Sequence, residues 1–192
     1  MKRPPRNDGR LQDDPPTRFG LATRRRVLAG ITGAALLGGT GWWSQRWHYI
    51  IVHHSGGTYG NLAFLQKVHR ERQPRDPIDA MPYHYVIGNG SGMRLGEVAQ
   101  DWRTDMHIWG THVSTGNRDR NFRGLGICLI GNFDQHPVPE PQYRALRNLI
   151  ITLMQQYGIR IENISGHGLV PGEHTRCPGK HFPMARRLAA LS

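Results

Sequence analysis

Three ligand-type residues constrain this chain most, because they stand so far apart along it. His53 closes the apolar run Tyr49-Ile50-Ile51-Val52, whereas His167 and Cys177 lie near the other end, within the segment Gly166 to Gly179. A fold that uses them together must bring a strand end near its beginning against a loop near its close. Two imidazoles and one thiolate suit Zn2+. Three protein ligands leave a fourth position for water, which is the pattern of a catalytic rather than a structural site.

At 192 residues the chain is long enough for one domain with a real core plus a tail. Its formal charge of +11 is unevenly spread. Residues 1–48 hold nine Lys/Arg against three Asp, and residues 49–192 hold sixteen against eleven Asp/Glu. About half of the excess thus sits in a quarter of the chain. No basic helix with interleaved aromatics accompanies it, so a nucleic-acid partner is not expected. A moderately basic folded part suits an anionic polymer such as a cell wall. There are two cysteines. Cys177 is claimed by the ligand set, and Cys128 lies in the apolar run Leu125–Gly131, so no disulfide framework is implied and Cys128 reads as a small buried hydrophobe.

Residues 1–22 are rich in Pro, Arg, Asp and Gly without an apolar period, which predicts a disordered basic tail. Residues 23–48 open with Arg24-Arg25-Arg26 and continue into the uncharged stretch Val27–Ser44, as in a twin-arginine export signal. No small-residue cleavage site follows, so the segment could stay as an anchor through residues 27–43, with Trp42, Trp43 and Trp47 at the membrane interface. That reading predicts a protein exported to the periplasm, or held at the inner membrane facing it. The folded part, 49–192, starts with a buried strand over 49–53. Asn61 can cap a helix to about Gln73. A hairpin is expected from Tyr83–Ile87, the turn Asn89–Gly92 and a returning strand Met93–Val98, followed by irregular loop over 99–122. Leu125–Gly131 reads as a central strand and Pro141–Tyr157 as the longest helix, stopped by Gly158. Ile161–Ile164 leads into the second ligand cluster, and Phe182–Leu191 is a closing helix. Alternating strands and helices give a mixed α/β class, with a central mixed sheet flanked by helices.

With these words in place, the chain from Tyr49 onward resembles the zinc-dependent N-acetylmuramoyl-L-alanine amidases, the type-2 amidase family that includes peptidoglycan recognition proteins. The resemblance rests on Ile51-Val52-His53-His54-Ser55, Tyr83-His84-Tyr85-Val86-Ile87, Gly110-Thr111-His112, Gly126–Asn132 and Gly166-His167…Cys177-Pro178-Gly179, in that order. It implies His53, His167 and Cys177 as ligands of a zinc ion, peptidoglycan or muropeptides as partner, and hydrolysis of the amide between N-acetylmuramic acid and L-alanine. His54, one step along a strand, should point the other way. A monomer is expected.

The resemblance also divides. One branch carries a Glu in the core strand as general base, where this chain has Cys128. The other uses the strand tyrosine, here Tyr83, with a Lys or Thr two residues before the ligand cysteine, here Thr175. Tyr83 is therefore the expected proton shuttle or water orienter, and Thr175 the expected oxyanion donor. His112, Arg123 and His174 are candidate substrate contacts, Arg123 by pairing with a stem-peptide carboxylate. The connection from His167 to Cys177 is longer than is common in the family, and it brings Glu173 and His174 near the site as an extra acid/base or contact. The competing expectations are a non-catalytic peptidoglycan-binding module on the same fold, and a zinc hydrolase of other specificity, such as one acting on released anhydro-muropeptides. Non-catalytic relatives typically lack one of the three ligands, and all three are present here.

Overall fold

The computed structural model describes residues 41–75 and 80–184. The expected tail, the signal-type segment as far as residue 40, and the closing helix beyond 184 lie outside the described residues.

Five strands make one mixed sheet in the order β3-β2-β4-β1-β5. They are β1 (Tyr49–His54), β2 (Tyr85–Ile87), β3 (Val98–Gln100), β4 (Gly124–Leu129) and β5 (Ile164–Gly166). All neighbours run parallel except β2 and β3 at one edge. β4 is central and buried along its whole length, as its unbroken apolar run requires when both faces are covered. The period-two alternation sorts the sheet's side chains. Ile50, Val52, Tyr85, Ile87, Leu125, Ile127 and Leu129 enter one core cluster. There they meet Leu146, Ile150 and Leu153 of the long helix α4 (Glu140–Tyr157). The opposite face carries His53, Val86 and Cys128 side by side in register. Helix α1 (Leu62–Arg72) covers that face through Leu65, which packs with Met81, Val86, Cys128 and Ile130.

Local signals explain the element ends. The Asn61 carboxamide accepts the Phe64 N–H at 2.9 Å and starts α1. Gly158 ends α4 in the left-handed region, at φ 65°. Two expectations need correction. The strand returning from the hairpin is Val98–Gln100 rather than Met93–Val98. Gly90, Gly92 and Gly96 all take positive φ and fold residues 89–96 into successive turns, so the ladder opens only where Ile87 meets Val98. The stretch 99–122 is also not wholly irregular. It holds the short helices α2 (Trp102–Asp105), capped by Asp101, and α3 (Arg118–Arg123). Both are too short to leave a periodic signal.

The entry to the domain is also more ordered than expected. Trp47 belongs to the core and is 1% exposed, which rules it out as a residue of a membrane interface. The Arg46 guanidinium is sandwiched between the Trp43 and Trp47 rings, 4.0 Å from each centroid. It donates to the carbonyls of Trp43 at 2.9 Å, Phe122 at 3.1 Å and His107. No described helix is long and apolar enough to cross a membrane.

Removing Arg46 strands three carbonyls and two ring faces. Arg46→Ala is expected to lower unfolding free energy by roughly 2 kcal/mol or more in urea titration. Arg94→Ala, at an exposed ion pair with Glu97, is expected to stay within about 0.5 kcal/mol.

Candidate functional site

The parallel pairing of β1 with β5 aligns Val52 with Gly166, so the next residues, His53 and His167, emerge together at the carboxyl ends of neighbouring strands. This is where open parallel sheets place their sites. Their ring centroids are 4.7 Å apart. The chain then loops out and returns through a Gly168 N–H to Cys177 C=O bond of 2.6 Å, which carries Cys177 back over the strand ends. A Cβ on Gly168 would lie 2.2 Å from the Thr175 carbonyl, so only glycine permits this close approach. The Cys177 sulfur sits 3.8 Å from His53 Nδ1 and accepts the His54 backbone N–H at 3.4 Å.

His53, His167 and Cys177 each offer one ligand atom, all within 4.8 Å of one another. Donors around a tetrahedral zinc stand about 3.3–3.8 Å apart, given bonds of about 2.0–2.3 Å. The His53–Cys177 spacing already matches, and the two-nitrogen, one-sulfur set fits a borderline-soft ion. The three residues can therefore hold a metal. His54 points away, as expected, its Nδ1 accepting the Phe133 N–H at 3.2 Å.

His112 lies beneath His53, buried, with its Nδ1 3.2 Å from His53 Nε2 and its Nε2 3.2 Å from the Gly124 carbonyl. A carbonyl can only accept, so His112 carries its proton on Nε2. Its Nδ1 must then accept from His53 Nε2–H, which leaves the His53 Nδ1 lone pair facing Cys177 and a metal. His112 thus orients a ligand from behind. Burial, with the neighbouring His112, His167 and His54, holds His53 well below the usual imidazole range. Burial also pushes His112 down to about 4. Both rings are neutral, the state in which imidazole binds metal. Burial pushes the Cys177 thiol up to about 12. A cation in the site would invert that balance.

A groove of about 640 Å3 opens over these residues. Tyr83 lines it, its ring 5.0 Å from that of His53. Burial, then the neighbouring Cys128 and Cys177, hold the Tyr83 hydroxyl well above 10. Cys128 stands beside His53 in the sheet, fully buried in the cluster against which Tyr83 packs. Thr175 is exposed on the 167–177 loop, where its Oγ1 accepts the Cys177 N–H at 3.1 Å. His174 is likewise exposed, and neither residue lines the groove. Arg123 is not in the groove either. It turns back along α3 to Asp119 at 3.4 Å, which satisfies it locally. The arginine that lines the groove among the described residues is Arg72, at the end of α1 beside His69, Val68 and Leu65. Their spacing on one helical face was the available signal, and it reads equally well as ordinary amphipathicity.

Glu173 is the residue whose position the spacing left open. Its side chain is only 6% exposed. Burial alone would raise its carboxyl, but donors from Ser114, Asn117 and His167 outweigh that and bring it to about 2.

Comparison with known proteins follows the same lines. The family described as N-acetylmuramoyl-L-alanine amidase matches residues 43–180. An N-acetylmuramoyl-L-alanine amidase of Sus scrofa is 29% identical over 119 residues, covering 62% of this chain and 18% of that protein. The 1,6-anhydro-N-acetylmuramyl-L-alanine amidase AmpD of Enterobacter cloacae is 34% identical over 101 residues, 52% of this chain and 54% of that protein. The matched stretches thus span about half or less of these relatives' length. Among solved structures, the amidase LysC of Clostridium intestinale URNW superposes with a TM-score of 0.63 at 24% identity, covering 77% of this chain and 86% of that one. A tyrosine-to-phenylalanine mutant of Drosophila PGRP-LB, in complex with tracheal cytotoxin, gives 0.53 at 21% identity, covering 70% and 76%. At such identities the likeness shows a shared fold.

The seat of His112 generates a test. A Cβ on Gly126 would lie 2.7 Å from His112 Cγ. Gly126→Ala is expected to cost about 1–3 kcal/mol in chemical unfolding, because a rigid ring in a full core must shift. Gly57→Ala, where a Cβ meets nothing within 4 Å, should be close to neutral.

Proposed function

The chain belongs to the N-acetylmuramoyl-L-alanine amidase family, and from that premise we propose that it is a zinc-dependent hydrolase of the amide between N-acetylmuramic acid and L-alanine. The observation that carries the reading is the convergence of His53, His167 and Cys177 at the floor of a groove. Zinc, where bound there, supplies Lewis acidity that makes water nucleophilic near neutral pH and polarises an amide carbonyl.

The chain's own residues supply the rest. Burial, then the neighbouring Cys128 and Cys177, disfavour the Tyr83 phenolate. Tyr83 therefore orients the nucleophile or donates to the departing nitrogen, and does not act as a strong base. Cys128 at the core-strand position offers no carboxylate, which leaves this work to Tyr83. Thr175 is the proposed oxyanion donor, and it must turn its hydroxyl hydrogen toward the groove while its oxygen holds the Cys177 N–H. His112 keeps His53 in its binding tautomer. The wall formed by α1, with His69 and Arg72, faces the substrate. A glycopeptide stem rich in carboxylates suits that lining, and peptidoglycan or muropeptides are the proposed partner. Export directed by the twin-arginine-type segment that opens at Arg24, with attachment through the apolar stretch that follows it as the alternative to cleavage, would bring the domain to that polymer.

The presence of all three ligand-type residues favours hydrolysis over a non-catalytic peptidoglycan-binding module. The match to a 1,6-anhydro-N-acetylmuramyl-L-alanine amidase makes released fragments a substrate form to compare with intact wall.

Incubating the full chain with intact peptidoglycan and with anhydro-muropeptides, followed by mass analysis, is expected to release free stem peptides, and a chelator should abolish that release. Products cut within the peptide or the glycan would contradict the bond assignment. His53→Ala, His167→Ala and Cys177→Ser should each lose stoichiometric zinc and lower kcat/KM by at least about 100-fold. Tyr83→Phe should retain zinc and lose about 100-fold in kcat. An undiminished rate would remove Tyr83 from the mechanism.

A further inference from the structure

Glu173 sits in the connection between His167 and Cys177 and makes contacts that the proposed reaction does not use. Its Oε2 lies 3.0 Å from His167 Nε2. Its Oε1 accepts the Ser114 N–H at 3.0 Å and the Ser114 hydroxyl at 2.7 Å, together with the Asn117 side-chain amide. All of these donors converge on one buried carboxylate. Three of these donors reach Oε1 and the His167 ring nitrogen faces Oε2, so the carboxylate is held in place at both oxygens.

We propose that Glu173 is the positioning residue for the metal at His167, resting on the zinc reading above. The carboxylate accepts His167 Nε2–H, which fixes that ring as the tautomer with a bare Nδ1 and turns the Nδ1 lone pair toward His53 and Cys177. Two histidines of the site are then held in the same sense by different groups, His53 through the neutral ring of His112 and His167 through a carboxylate. Ligand histidines backed in this way bind metal more tightly, because ring orientation and basicity are set before binding. The backing also spans the sequence. Ser114 and Asn117 anchor Glu173 from the loop that follows His112, so the supports of both histidines meet in one loop. Gly172, with φ 83°, provides the turn that aims Glu173 inward.

The test measures zinc affinity of the full chain by competition with a chromophoric chelator, independently of turnover. Glu173→Gln and Glu173→Ala are expected to weaken zinc binding about 10–100-fold. Ser114→Ala, which keeps the Glu173–His167 contact, should weaken it by no more than a few-fold. Loading with Co2+ adds a readout that a merely structural tether would not move. The visible absorption of the site should change in Glu173→Gln and match wild type in Ser114→Ala. Thermal melts of the metal-free chains identify any variant that fails to fold, and the isosteric Gln variant carries the conclusion if Ala unfolds. Zinc affinity unchanged in folded Glu173→Gln would overturn the proposal. A wild-type chain that takes up no zinc would overturn the underlying metal reading instead.

Discussion

The site depends on the parallel contact between β1 and β5. Aligning Val52 with Gly166 makes the two strands end at the same height, and their next residues are the two histidines. Everything distinctive then follows from what surrounds that pair. The long helix and the apolar face of the sheet fix the strands in place. The Gly168–Cys177 backbone bond returns a thiol to the same point from a loop that would otherwise be free to drift. A one-residue slip of β5 would send His167 to the other face and dismantle the cluster.

Beneath the three ligand-type residues lies a polar layer that fixes proton positions. His84 is part of it. Its Nδ1 accepts the Gly126 N–H at 3.0 Å and its Nε2 faces the Ile108 carbonyl at 2.9 Å, so it joins the central strand to the loop carrying His112. Glycine is required where these rings press on the sheet. At Gly126 of β4 an added Cβ would come within 2.7 Å of His112, and at Gly110 in the facing loop within 2.4 Å. Small residues along β4 are therefore space for imidazoles, and burial keeps those imidazoles neutral and ready to donate lone pairs. The cost of burying so many polar rings is offset because nearly every ring nitrogen here has a defined partner.

Much of this was legible in the sequence. The apolar run ending at His53, the run Leu125–Leu129, the cap at Asn61 and the stop at Gly158 are each written in local residue types, and family resemblance joined the distant words. Arg123 misled because an arginine beside a core strand suggests a ligand contact, while its nearer partner Asp119 lies one helical turn away. Glu173 was visible as an extra acid/base or contact, but its anchoring was not. Nothing local reveals that Ser114 and Asn117 approach it from a loop almost sixty residues earlier. Trp47 looked interfacial beside Trp42 and Trp43 because composition cannot tell a membrane-facing ring from a core ring. Arg72 and His69 were hidden inside an ordinary amphipathic pattern. What sequence conveyed poorly was the set of long-range polar contacts, which have no period.

Zinc-edge X-ray absorption on the full chain as purified tests the central assignment most directly. The account requires one zinc per chain, with a single sulfur neighbour at about 2.3 Å and the remaining nitrogen or oxygen neighbours at about 2.0–2.1 Å. An edge spectrum with no sulfur neighbour, or with several, would contradict it.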